Sequence, residues 1–176
     1  MSQKETGEIV NRVQRSGVVT IDFEEWYPQN ERNLVDLKPW LWQEMVLKEK
    51  DFREAVEQHN WEQYQDQYVA INCSVDAIIP TWAYMLIADA LEPFAAFIFV
   101  GTPNEMEKAV FRKVIDKKLI PEEYEDKRIV IKGCSKYPIS PDAYALVTAK
   151  LKPFAKTIMF GEPCSTVPIY RKRKSY

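Results

Sequence analysis

Apolar and polar positions along this chain follow two different periods, and the switches between them mark out its elements. Val18 to Phe23 reads as a strand and Asn33 to Leu37 as a second. The turn chemistry of Tyr27-Pro28-Gln29-Asn30 lies between them, so the pair predicts an antiparallel hairpin. Upstream, Ile9, Val10 and Val13 are spaced for a short amphipathic helix ending at Gly17. Downstream, Asp36 is placed to cap a helix with Pro39 in its first turn and Trp40, Leu41, Met45 and Leu47 as apolar contacts. Asp51 is placed to cap another, in which Phe52, Ala55 and Val56 share a face before Trp61 and Tyr64 lead into the next strand. The aromatics read as core anchors. Trp26, Trp40, Trp42 and Trp61 are expected to cover one face of a sheet, the alternative being a dimer interface.

From Tyr64 onward the pattern repeats. Residues 64–104 laid on 124–164 without a gap share 14 identities in 41 positions, whereas unrelated residues match roughly one time in fifteen. Pro93-Phe94-Ala95 falls on Pro153-Phe154-Ala155, Tyr84 on Tyr144, Ile98 on Ile158 and Gly101 on Gly161. Within each half an apolar run (Tyr68 to Ile71; Arg128 to Ile131) precedes a helix-length segment, and a second run follows it (Phe97 to Val100; Thr157 to Phe160). That alternation is the signature of parallel βαβ units.

The expected fold class is therefore α/β, with a four-stranded, mainly parallel sheet made from a duplicated βαβ unit and preceded by an α+β extension. Placing the first strand of each half in the centre gives the order 2-1-3-4, with a ligand-binding switch point between strands 1 and 3. One domain is expected over residues 1–176. Its parts are an N-terminal helix, hairpin and helix segment (1–63), a first repeat (64–103), a connecting helix (104–123), a second repeat (124–163) and a basic tail (164–176).

Composition narrows the function classes. A net charge of −2 gives no general attraction to nucleic acid or anionic lipid. The cationic run Arg171, Lys172, Arg173, Lys174 reads as a solvated tail. No apolar run has the length of a transmembrane span, so neither nucleic acid nor membrane is an expected partner. There is no GxGxxG, Walker loop, GxSxG or HExxH, so an enzyme is not the favoured reading.

Cys73, Cys134 and Cys164 carry the candidate chemistry. They are odd in number and far apart, which fits reduced thiols in a cytoplasm better than a disulfide framework. Each follows a predicted strand, which places all three on one rim. Ser140 as N-cap and Pro141 at the first helical position open the helix after Cys134, and a thiol facing a helix N-terminus is drawn toward thiolate. Four readings stay open. Three thiolates hold zinc or an iron-sulfur cluster, with His59, Asp76 or Glu162 as a possible fourth ligand. The cysteines are small buried hydrophobes in an interaction module. One of them is a nucleophile or redox thiol. The site is a pocket that uses no cysteine.

The segments Ala70-Ile71-Asn72-Cys73-Ser74, Pro80-Thr81-Trp82-Ala83-Tyr84-Met85, Val130-Ile131-Lys132-Gly133-Cys134 and Gly161-Glu162-Pro163-Cys164-Ser165-Thr166-Val167-Pro168-Ile169-Tyr170 resemble a bacterial family of proteins of unknown function, number 2480 in its series. The resemblance spans nearly the whole chain, from about Ile9. It implies a cytoplasmic bacterial protein from a family whose genes often lie near those of the SUF iron-sulfur assembly system. No activity is established for that family, so it assigns no catalytic residues. The gene neighbourhood it implies favours a metal- or cluster-binding accessory protein using Cys73, Cys134 and Cys164, with iron-sulfur assembly proteins as partners. The chain is then expected to be a monomer or a homodimer.

Overall fold

The computed structural model describes residues 17–162 and 164–173, and the predicted N-terminal helix falls outside them. The chain divides into two compact units. Unit 1 comprises Met1–Tyr27 and Arg112–Tyr176, and unit 2 comprises Pro28–Phe111.

Unit 2 carries three parallel strands in the order β2 (Arg32–Asp36), β3 (Tyr68–Asn72) and β4 (Phe97–Val100). Successive side chains of a strand point to opposite faces. Val69 and Ile71 therefore join Val35 in a core completed by Phe52 and Val56 of α1 (Glu49–Gln58) and by Ala83, Ile87 and Leu91 of α2 (Thr81–Leu91). Ala70 goes to the other face, where it meets Met106 and Val110 of α3 (Pro103–Lys118) among Tyr68, Phe97 and Phe99. Burial on both faces is why β3 reads as a continuous apolar run rather than an alternation. Each helix offers its apolar residues one turn apart, Phe52 with Val56 and Ile87 with Leu91. Ile87→Ala would leave a void costing about 2–5 kcal/mol.

Unit 1 carries the order β1 (Val18–Ile21), β5 (Arg128–Ile131), β6 (Thr157–Glu162) and β7 (Ser165–Arg171). The first three strands are parallel, and β7 returns antiparallel to β6. Helix α4 (Pro141–Leu151) buries Ala143, Val147 and Leu151, and the sheet buries Ile129, Ile131 and Ile158. The Ser140 Oγ accepts the Asp142 N–H at 3.4 Å, and Pro141 opens the helix, as its sequence predicts. Lys150 Nζ, on α4, sits 2.9 Å from Asp116 Oδ1, on α3. The boundary between the units thus falls inside α3, between Phe111 and Arg112.

The two units repeat one another in backbone detail at an offset of sixty residues. A 3-10 turn at Trp61–Tyr64 matches one at Pro121–Tyr124, and helix Thr81–Leu91 matches Pro141–Leu151. Asp66 and Asp126 both take a left-handed conformation, with φ 58° and 52°. The N–H of each donates at 2.9 Å to its counterpart carbonyl, Phe94 and Phe154. The likeness extends into the N-terminal strands, beyond the repeat read from the sequence. Val35 pairs with Ile71 and Ile21 with Ile131, each is followed by an aspartate, and the next residues, Leu37 and Phe23, are both fully buried.

Several expectations are corrected. The order 2-1-3-4 required β3 and β5 to lie side by side, but the second neighbour of β3 is β2 and that of β5 is β1. The predicted hairpin does not form, because β1 and β2 each pair in parallel in a different sheet. Val35 and Leu37, like Ile21 and Phe23, demand burial, and a lone two-stranded hairpin leaves too much apolar surface in water. The helix expected after Asp36 is one 3-10 turn, Lys38–Trp40, cut short where Gln43 and Glu44 take positive φ. Most of the predicted basic tail is strand β7, in which Pro168 is tolerated on a sheet edge.

Candidate functional site

The structure distributes the three cysteines between the units. Cys73 lies in unit 2, half-buried against the cluster of Val35, Phe52 and Ile87. Cys134 and Cys164 lie in unit 1, after β5 and β6 respectively. Cys164 is exposed immediately before Ser165, the first residue of β7. Cys134 is half-buried, and its Sγ accepts the Tyr137 N–H at 3.3 Å while lying 3.6 Å from the Tyr137 carbonyl. Of the three suggested fourth ligands, Asp76 is exposed in unit 2. His59, also in unit 2, bonds the Tyr64 hydroxyl at 2.9 Å between the rings of Trp40 and Trp61. Glu162 ends β6 in unit 1. Among the described residues, no group of three or more His, Cys, Asp or Glu side chains is placed to hold a metal ion.

The carboxyl ends of the parallel strands carry the polar features of each unit. In unit 2 the Asp36 carboxylate accepts the N–H of Lys38 and of Ser74, both at 3.0 Å, and the Ser74 hydroxyl at 2.6 Å. Burial works to raise its pKa, but those donors outweigh burial and hold it below 3.8. In unit 1 Asp22 accepts the matching N–H, from Glu24, at 3.0 Å, and its second oxygen takes Lys132 Nζ at 2.7 Å. Burial again opposes, and the Lys132 and Glu24 donors prevail, so Asp22 also lies below 3.8. Lys132 Nζ reaches Glu162 as well, at 4.0 Å. Next to this group the Tyr144 hydroxyl accepts the Cys134 N–H at 3.1 Å, and its ring packs on Phe23 at 4.9 Å and edge-on to Phe160 at 5.6 Å. Tyr27 stacks on Tyr137 at 4.1 Å.

Beside Tyr144, unit 1 opens into a groove of about 590 Å³ lined by Ile131, Pro141, Tyr144, Ala145, Thr148, Ala149, Phe160 and Ile169. That volume falls within the roughly 300–1,000 Å³ of ligand sites. One wall is α4 and the other is the sheet, through Ile131 of β5, Phe160 of β6 and Ile169 of β7, and Phe160 and Ile169 remain 39% and 52% exposed. The groove comes from features that unit 2 does not share. Small Ala145 and Ala149 stand where the repeat has Met85 and Asp89, and β7 pairs with β6 on the edge that β4 leaves unpaired. A Cβ on Gly133 would meet the Phe160 ring at 3.3 Å, so glycine lets that ring lie against the end of β5. Sequence reading missed the groove, since its signal is the lack of bulk at two alanines and a strand read as a tail.

No described helix is long and apolar enough to cross a membrane. No curated protein and no solved structure matches the chain. A family model described as "Protein of unknown function (DUF2480)" matches residues 7–172, nearly the whole length, and on that match the chain belongs to the DUF2480 family.

Proposed function

We propose that this is a binding protein whose unit 1 groove holds a small, predominantly apolar ligand. The observation that carries this reading is the groove between α4 and the sheet edge formed by β6 and β7, with a volume suited to a ligand and exposed Phe160 and Ile169 in its walls. It lies toward the carboxyl ends of β5 and β6, where open α/β sheets bind ligands. The polar groups within reach, the Thr148 and Tyr144 hydroxyls, orient a ligand rather than attack it. The exposed thiol of Cys164 fits the reducing cytoplasm expected from the sequence.

The test is fluorescence of the neutral dye Nile red, which brightens in apolar surroundings. Saturable, one-to-one enhancement is expected with the full chain, and Ala149→Trp, which fills the groove, is expected to abolish it without changing the far-ultraviolet circular dichroism. Enhancement that survives the tryptophan sinks the reading.

The metal- or cluster-binding accessory role is a separate proposal. Cys134 and Cys164 follow adjacent strands of one sheet, which is its structural support. Iron, sulfide and zinc analysis of anaerobically purified protein tests it, and stoichiometric metal lost in Cys134→Ser would favour it over the groove.

A further inference from the structure

The stripe of α4 that lines the groove leads to a lysine. On α4 its lining residues, Pro141, Tyr144, Ala145, Thr148 and Ala149, recur at every third or fourth position and form one stripe. The next position on that stripe is Lys152, at the helix C-terminus. Its Nζ lies 5.9 Å from the ring centroid of Tyr170, the neighbour of Ile169 in the opposite wall, so the two walls come together at an ammonium. Lys152 is exposed and forms no ion pair among the described residues.

At the far end the rings of Tyr144 and Phe160 meet edge to face. Burial raises the Tyr144 pKa, and the neighbouring Asp22 carboxylate is paired with Lys132 at 2.7 Å. The ammonium of Lys152 stands just beyond the end of a stripe that is otherwise predominantly apolar. A rise of ~1.5 Å per residue puts Pro141 and Lys152 roughly 17 Å apart, the length of a medium to long alkyl chain.

Building on the groove reading, we infer that the occupant is a free long-chain carboxylate. It lies along α4 with its head at Lys152 and its tail against Tyr144 and Phe160. The apolar walls take the chain, and the Lys152 ammonium takes the carboxylate.

The full chain is titrated with dodecanoate and with 1-dodecanol, both as monomers, and displacement of Nile red is read. Dodecanoate is expected to compete roughly two- to fivefold more strongly than the alcohol, as one screened ion pair allows. Lys152→Met should erase that preference and leave the alcohol unchanged, and Lys152→Arg should restore it. Equal competition by both compounds in the wild type, or a preference that survives Lys152→Met, overturns the carboxylate while the groove stands. Nile red binding that Ala149→Trp does not touch removes the groove and this inference together. Binding to phosphatidylglycerol vesicles without binding of monomeric dodecanoate overturns it in favour of a membrane surface.

Discussion

Asp36 offers the sharpest test of how the strand ends are held. Its carboxylate joins the end of β2 to the residues after β3 through three donors, the Lys38 N–H, the Ser74 N–H and the Ser74 hydroxyl. Hydrogen bonds to a charged acceptor each contribute about 1.5–3 kcal/mol, but Ser74 is exposed and water re-solvates part of what is lost. Asp36→Ala should therefore cost about 2–3 kcal/mol in total, and Asp36→Asn, which keeps one oxygen for the two N–H groups, about 1 kcal/mol. Ser74→Ala removes only the hydroxyl bond, at about 1 kcal/mol, and coupling of similar size is expected in the double-mutant cycle. Urea unfolding read by tryptophan fluorescence suits the measurement, because Trp40, Trp42, Trp61 and Trp82 lie in unit 2 and only Trp26 in unit 1. The pH dependence gives a second check. The folded pKa of Asp36 lies below 3.8, so its stabilisation is fully present above that value and is lost as pH falls through the folded pKa. The gap between wild type and Asp36→Ala must close in acid. A cost under about 0.5 kcal/mol at neutral pH, or strict additivity with Ser74→Ala, would refute the stitching argument.

Three further outcomes are expected. Burial among aromatic rings lowers the pKa of His59 from 6.5, so the unfolded chain binds the proton more readily. Stability should then fall as pH drops below 6.5, and His59→Gln should flatten that slope in urea titrations made on both sides of the value. Gly161 has φ +120° and its added Cβ would lie 2.6 Å from the Ser165 carbonyl oxygen, whereas the clash at Gly101 is with the Phe99 side chain. Gly161→Ala should thus cost at least about 2 kcal/mol, more than Gly101→Ala, and should weaken Nile red binding by loosening the β7 wall. Asp66 has φ 58°, so Asp66→Gly should be neutral or stabilise by about 0.5 kcal/mol, while Asp66→Val should destabilise. Asp126→Gly should gain less, because Asp126 also pairs with Lys172 at 2.8 Å; thermal melts check both substitutions.

The sequence disclosed what is local and repeated. Pro93-Phe94-Ala95 and Pro153-Phe154-Ala155 located the duplication, the apolar runs located β3 to β6, and Ser140-Pro141 located the start of α4. The partners of β1 and β2 stayed hidden because parallel pairing joins distant segments, here residues 18–21 with 128–131, and leaves no turn to read. The echo of Val35-Asp36-Leu37 in Ile21-Asp22-Phe23 is the signal that would have exposed both pairings. Strand β7 was concealed by Pro168 and by the cations after it. The cysteines were correctly placed just beyond strands, but proximity of their sulfurs is a property of the folded chain that spacing alone did not carry.

The division of the chain has a consequence for synthesis. Residues 28–111 form an uninterrupted unit, whereas β1 must wait for β5, which leaves the ribosome long afterwards. During that wait β1, ending in Ile21-Asp22-Phe23, competes with β2, ending in Val35-Asp36-Leu37, for the same edge of β3. The strands differ ahead of that shared ending, Val18-Val19-Thr20 against Arg32-Asn33-Leu34, and their polar ends add a second difference. The slot beside β3 offers Ser74 to an aspartate and the slot beside β5 offers Lys132. These contacts are expected to favour each strand's own sheet, and exchanging them should raise the share of chains that pair the wrong copy first.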